Sequence, residues 1–400
     1  MTWTAQQKQT VLACYLGWTL DAFDFFLMVF ILKDIAKDFG TDIEAVSWAT
    51  MLTLAARPLG ALIFGRLADR YGRKPVLMAN IVLYSVLGFV SAFSPNLMVL
   101  LMLRTLFGVA MGGEWGVGSS LTMESIPPKS RGLVSGLLQA GYPSGYLLAT
   151  LAFGQLFTHI GWRGMFMLSL LPALLTIYIR LNVPESPTWE AEKEKAKPGL
   201  LATFQSQWRL SVYAIVLMMC FNFFAHGTQD MYPTFLRVQH KFDPHTVQAI
   251  GLWLNIGAIA GGLTVGWLSE RIGRRNAISL SALFALPIIP LWAFSHTPLQ
   301  LAAGAFFMQV AVQGAWGVIP AYLNEISPSA VRATFPGLVY QLGNLLASIN
   351  SPMQAHMSKT NGGNYGLSMA IVAGTVAIAI AILIRFGRER RGEAMHESAS

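Results

Sequence analysis

The chain has 400 residues, of which 54% are hydrophobic and only 12% charged, and its mean hydropathy is +0.50. Soluble domains carry roughly 25% charged residues, so this composition excludes an ordinary water-soluble enzyme or signalling domain and points to an all-α membrane protein. The net charge of +8 calls for no nucleic-acid partner, because the basic residues sort by side of the membrane, and the two cysteines, Cys14 and Cys220, both inside apolar runs, suggest no disulfide framework.

Runs of about 20 apolar residues predict twelve membrane spans. In chain order they cover 11–32, 46–68, 76–93, 97–119, 132–157, 163–183, 209–234, 246–268, 277–294, 299–321, 333–357 and 366–386. Span 1 lacks a positive segment followed by a small-residue cleavage site, so it reads as a retained helix. It carries Asp21 and Asp24, three apart and so roughly on one face. Span 2 carries Arg57 at its midpoint, before Pro58. The turn that follows reads Gly65-Arg-Leu-Ala-Asp69-Arg70-Tyr-Gly72-Arg73-Lys74. Span 4 holds Arg104 and, inside Gly112-Gly113-Glu114-Trp115-Gly116, Glu114. Span 7 is interrupted by Asn222, His226, Thr228, Gln229 and Asp230, then Tyr232-Pro233-Thr234. Asn222, His226 and Asp230 are spaced by four and share one helix face. Ionisable groups inside a membrane cost several kcal/mol unless partnered or hydrated, so each marks a candidate site. Span 11 adds Gln341 and Asn344, again three apart.

The two halves repeat. The span 2–3 turn recurs as Gly266-Trp-Leu-Ser-Glu270-Arg271-Ile-Gly273-Arg274-Arg275, an offset of 266 − 65 = 201. The same 201 carries Trp115 to Trp316, Glu124 to Glu325, Pro127 to Pro328, Arg131 to Arg332 and Gly136 to Gly337. A constant offset through several helices indicates duplication. It predicts a six-helix bundle over 1–184, a charged linker over 185–208, a second bundle over 209–386 and a tail over 387–400. Two parallel halves with a central cavity between them form a transporter architecture. About 20 of the 28 Lys and Arg fall on the side of both termini, which predicts that both termini are cytoplasmic.

The turn Gly65…Lys74 and its degenerate copy resemble the best-known motif of the major facilitator superfamily, and the resemblance covers nearly the whole chain. It implies twelve helices, with spans 1, 4, 7 and 10 lining the cavity. Gly65, Asp69, Arg70, Gly72 and Arg73 then form either a conformational latch or a simple anchor of the cytoplasmic face. Glu124 with Arg131 and Glu325 with Arg332 are candidates for a second latch. The span 7 string Asn222-Phe-Phe-Ala-His226-Gly-Thr-Gln229-Asp230-Met-Tyr-Pro-Thr234 resembles the signature of the sialate:proton symporter family, especially its yeast-type lactate/pyruvate permeases, with only Ala225 departing from the expected hydroxyl residue. Bacterial sialic acid transporters share the span 1 and span 2 features but lack the His-x-x-Gln-Asp element and carry two extra spans. The resemblance implies proton-coupled symport of a small monocarboxylate in a bacterial inner membrane by a monomer, with a larger sialic or aromatic acid as the alternative. Implied substrate contacts are Arg57, Arg104, Asn222, His226, Gln229, Gln341 and Asn344. Implied proton carriers are Asp21, Asp24, Glu114, His226 and Asp230. The residues leave open whether Arg57 meets substrate or braces Asp24, and whether Glu114 is structural. Neither a nucleotide loop nor a metal-spaced cluster is present, so no enzyme activity, cofactor or metal is expected.

Overall fold

The computed structural model describes residues 3–41, 43–193, 205–232, 235–328, 331–332 and 334–392. Spans 1 to 4 are single helices, Ala5–Phe39, Ile43–Tyr71, Arg73–Ser91 and Leu97–Ser125. Span 5 is broken at Ala140 into Arg131–Gln139 and the start of Gly141–Met167; Gly161, at φ 63 and ψ −176, then turns the chain into span 6, which ends with Leu171–Asn182. Spans 7 to 10 are Trp208–Gln229, Pro244–Ile272, Arg274–Ala293 and Pro298–Ile326. Span 11 is again two pieces, Thr334–Ala347 and Asn350–Thr360, and span 12 is Tyr365–Phe386. Among the described residues, ten stretches are apolar and long enough to cross a bilayer. Spans 5 and 11 are each interrupted, a break that membrane helices tolerate when neighbours satisfy the freed backbone. Span 7 ends at Gln229, five residues earlier than the apolar run predicts, and Pro233 and Thr234 lie outside the described residues. So does the core of the linker, 194–204.

Large apolar side chains are turned outward, among them Leu106, Leu174, Leu280, Leu299 and Ile382. Charged side chains are buried instead: Asp21, Asp24, Arg104 and Arg274 are fully covered. This reverses the distribution of a water-soluble protein, as expected where the surrounding solvent is lipid.

The 201-residue repeat is visible atom by atom on the face that carries the basic loops. Arg73 donates from Nε and Nη2 to the Glu124 carboxylate at 3.2 and 3.1 Å, and Arg274 does the same to Glu325 at 3.2 and 2.9 Å. These are bidentate arginine–carboxylate pairs with both partners buried. The spacing argument had paired Glu124 with Arg131 and Glu325 with Arg332. The structure corrects this: each glutamate at the end of its span points across to the start of the neighbouring span. Arg131 instead donates from Nε to the Met123 carbonyl at 3.1 Å. The charges also cross between halves, since Arg332 acts on Glu124 and Glu325 acts on Arg131.

Two further carboxylates join this face. Glu185 accepts from the backbone amides of Arg73 and Lys74, where span 3 begins. Glu389 accepts from those of Arg274 and Arg275, where span 9 begins. Each meets the unsatisfied donors of a helix N-terminus. Burial pushes the Glu185 carboxyl up from its usual range, and the amides of Ser186, Lys74 and Arg73 oppose that shift. Ser186 also donates to Glu124. Sequence reasoning missed both residues because they are 389 − 185 = 204 apart, outside the 201 register.

The halves are joined at this basic face. Asp69 bridges to Arg73 at 3.2 Å and accepts from the amide and hydroxyl of Thr334, at 3.2 and 2.6 Å, where span 11 begins. Its repeat partner Glu270 accepts from the Leu133 amide at 3.0 Å, where span 5 begins. Ser120 donates to the Arg332 carbonyl at 2.9 Å, and Ser135 accepts from the Ala321 amide at 3.0 Å. Spans 5 and 8 touch backbone to backbone: a Cβ on Gly136 would lie 2.1 Å from the Gly262 carbonyl oxygen. Gly65 is buried near the end of span 2, Gly72 makes the corner into span 3 at φ 109, and Arg70 lies over the Tyr71 ring at 5.2 Å.

Candidate functional site

Above this sealed face, the polar groups read from the sequence converge on the axis between the halves in two layers. The lower layer is built on Arg57, 2% exposed, whose guanidinium carbon lies 5.9 Å from both the Trp18 and Tyr340 ring centres. Its Nε and Nη2 have no hydrogen-bond partner among the described residues. Tyr340 is itself held between Trp115 and Trp316, at 4.9 and 5.3 Å between ring centres. The two tryptophans are repeat mates, so each half supplies one wall of an aromatic floor. Gln341, 1% exposed and beside Tyr340 in sequence, has neither side-chain polar atom bonded among the described residues. Buried polar groups without partners are uncommon in native proteins, so each one calls for an explanation, a bound ligand or water among them.

The upper layer comes from spans 7 and 11. His226 Nδ1 lies 3.2 Å from Asp230 Oδ1, with side chains 30% and 36% exposed. Asn344 reaches His226 from span 11, and the Arg57 charge acts on it from below. These neighbours set the partly exposed histidine between the halves, near the end of span 7 opposite the basic loops. Tyr142 of span 5 stands within the same field, between Tyr340, Arg57, Asp230 and Asp21, and its ring packs on Trp18 at 5.5 Å.

Other predicted contacts are placed elsewhere. Asn222 donates to the Met218 carbonyl at 2.8 Å, a bond within its own helix, and is 2% exposed. Gln229 donates to Gln309 of span 10 at 2.7 Å, and Gln309 donates on to Thr228 at 3.0 Å, so this element of the span 7 string clamps spans 7 and 10 together. Gln309 carried no sequence signal of its own.

Behind Arg57, inside the first half, lies a fully buried cluster. Asp21, Asp24 and Arg104 are 0% exposed and Glu114 is 1% exposed. The Arg104 guanidinium carbon lies over the Phe107 ring at 3.8 Å, and the foremost charge it faces is Asp24. Arg57 does not brace Asp24; the cation that acts on Asp24 is Arg104, 80 residues away in sequence. Asn80, Tyr84 and Ser85 of span 3 and Ser169 of span 6 complete the cluster. The sequence did not flag these, because single Asn or Ser residues in a span usually bond to their own backbone and a Tyr in an apolar run reads as packing. No group of three or more His, Cys, Asp or Glu side chains able to hold a metal is present among the described residues.

Comparison with known proteins agrees with this architecture. The family model of the Major Facilitator Superfamily matches residues 14–349 and 231–399. The sialic acid transporter NanX of Escherichia coli (strain K12) is 29% identical over 97% of this chain and 95% of its own. A carboxylic acid transporter protein homolog of Saccharomyces cerevisiae is 28% identical over 98% of this chain and 69% of its own. Among solved structures, the proton:xylose symporter XylE bound to 6-bromo-6-deoxy-D-glucose superposes with a TM-score of 0.80 at 18% identity, covering 98% of both chains. With the duplicated span 2–3 turn, the twelve spans and a matching family model along nearly its whole length, the chain belongs to the Major Facilitator Superfamily.

Proposed function

We propose that the protein is a proton-coupled symporter of small monocarboxylates such as lactate or pyruvate, working by alternating access. The observation that carries this reading is Arg57: a buried guanidinium with two unpaired nitrogens, between aromatic faces and under the only partly covered His226–Asp230 pair. A guanidinium fork binds a carboxylate by donating two parallel hydrogen bonds. The aromatic floor suits a short apolar tail, while Gln341 and Asn344 are neutral groups that can read a hydroxyl or keto oxygen. The relatives named for carboxylic acid, sialic acid, niacin and cis,cis-muconate transport support an organic acid as the cargo.

The bias of Lys and Arg toward the terminus-bearing face assigns that face to the cytoplasm of a bacterial inner membrane. On that assignment the halves are closed inside and open outside, ready to receive external substrate. Asp69, Arg73, Glu124, Glu270, Arg274 and Glu325, with Arg131 and Arg332, are then the latch of the outward-facing state. The coupled proton is taken by a carboxylate of the buried cluster, Asp21, Asp24 or Glu114, or by the His226–Asp230 pair. The carrier acts as a monomer and needs no cofactor.

A larger acid is the second reading, favoured by the near full-length similarity to a sialic acid transporter. One experiment addresses both. The purified protein in proteoliposomes, with an inward proton gradient, is given labelled lactate together with unlabelled pyruvate, acetate, benzoate, nicotinate, muconate or sialate. Uptake abolished by a protonophore and competed best by pyruvate is the expected result. Uptake indifferent to the protonophore removes the coupling, and competition led by sialate or an aromatic acid reassigns the cargo.

A further inference from the structure

Of the carboxylate and guanidinium side chains buried around the lower layer, Asp21, Asp24 and Glu114 are acids and Arg57 and Arg104 are bases. Asp24 faces Arg104, with Ser169 beside it. That leaves two carboxylates to one guanidinium. Glu114 Oε1 lies 2.6 Å from where a Cβ of Gly17 would stand, so the missing side chain of Gly17 is the notch that admits the glutamate of span 4 to span 1. Asp21 is four residues on from Gly17, on the same face one turn away. Glu114 is accordingly the foremost charge acting on Asp21, ahead of Arg57. All four carboxylate oxygens of the two residues lack hydrogen-bond partners among the described residues. The groups that face this pair from neighbouring elements are Arg57 of span 2, Tyr84 of span 3, Asp24 and Cys14 of span 1 and Arg104 of span 4. Farther along the axis stand Tyr142, Tyr340, His226 and Asp230.

Two adjacent carboxylates away from water do not both stay ionised beside a single cation. We infer that Asp21 and Glu114 form a proton-sharing acid pair across the Gly17 notch, and that this pair, tied to Arg57, carries the coupled proton. The inference rests on the symport reading above and goes beyond it by choosing the carrier. With the carrier empty, one proton between the two acids leaves the pair and Arg57 neutral together. A substrate carboxylate that takes Arg57 brings one more negative charge, and a second proton on the pair restores neutrality. The loaded carrier therefore holds one anion and one proton more than the empty one. Asp24, with Arg104 as the cation acting on it, lies outside this exchange.

The test compares wild type, Asp21→Asn, Glu114→Gln and the double variant in proteoliposomes, each reading accumulation of a labelled acid under a pH gradient and, separately, under a membrane potential. Each single variant keeps one titratable acid beside Arg57, so proton-driven accumulation persists with a displaced pH profile. The double variant loses accumulation, which for a one-unit gradient is a fall of about tenfold, and its uptake becomes driven by an inside-positive potential because the anion now moves alone. Gly17→Ala provides an independent reading that keeps every ionisable group. Its methyl displaces the Glu114 carboxylate and shifts the pH profile, whereas the same change in a Glu114→Gln background shifts nothing further. Proton-driven accumulation in the double variant, or complete uncoupling by either single variant, overturns the shared pair, as does a Gly17→Ala profile identical to wild type. Absence of any protonophore-sensitive uptake by wild type refutes the symport reading itself and is distinguishable from these.

Discussion

At the scale of single residues, the proposal turns on Arg57 and predicts that its shape matters as much as its charge. Arg57→Lys keeps a cation on a flexible stem but loses the fork, and hydrogen bonds to charged groups contribute about 1.5–3 kcal/mol. Half-saturation for the acid is expected to rise about ten- to hundredfold, read as transport rate against substrate concentration, and Arg57→Ala abolishes binding. An unchanged half-saturation in the lysine variant removes the anion role. His226 and Asp230 carry a different expectation. Both side chains are about one-third exposed, so the pair contributes little to stability. Substituting Asp230 by Asn is expected to leave the melting temperature within error while changing the order in which competing acids inhibit uptake. A large loss of stability with unaltered selectivity contradicts a place in the substrate path.

The identity of these residues was legible in the sequence because an ionised side chain in a span is conspicuous. Their partners were not. Asp24 faces Arg104 rather than Arg57, and Glu124 pairs with Arg73 rather than Arg131, because helix rotation and tilt decide which of several spaced charges meet. Tyr340, Trp18 and Tyr142, the aromatic frame of the site, were invisible for another reason: aromatic residues in apolar runs are ordinary packing until geometry sets them around a guanidinium.

At the scale of elements, the latch makes two predictions. Glu325→Gln strips the buried Arg274 of its bidentate carboxylate, and breaking a buried pair costs about 3–5 kcal/mol. The melting temperature in detergent is expected to drop, and to drop less for the equivalent Glu124→Gln because Arg73 keeps its bridge to Asp69 at 3.2 Å. Gly136→Val acts on conformation: its side chain meets the Gly262 carbonyl oxygen, so the basic-face closure of spans 5 and 8 cannot form. Such a variant is expected to fold and bind but to expose engineered cysteines on the basic face. Protection of those cysteines equal to wild type contradicts the latch. Helix lengths were read well from apolar runs except where a span is broken. Spans 5 and 11 were predicted as continuous, yet Ala140 and the Ala347–Asn350 junction divide them. Hydropathy sums over a window and does not register a break whose backbone groups are satisfied by neighbouring helices.

At the scale of the whole molecule, the 201-residue offset relates the two Arg–Glu bridges and the tryptophans on either side of Tyr340, although the sequence reading had matched each glutamate with a different arginine. The side on which the halves close was not readable from sequence, since the same residues must serve each state of an alternating carrier. One monovalent acid moving with one proton carries no net charge, so the complete cycle is expected to be electroneutral. The most direct measurement is made on proteoliposomes with equal pH on both sides and a pH-sensitive dye inside, beside protein-free vesicles as a control for passive entry. Addition of external lactate is predicted to acidify the lumen faster than in the control, at one proton per labelled lactate and without a capacitive current. Lactate entry with no acidification beyond the control, or entry accompanied by a current, contradicts electroneutral proton symport.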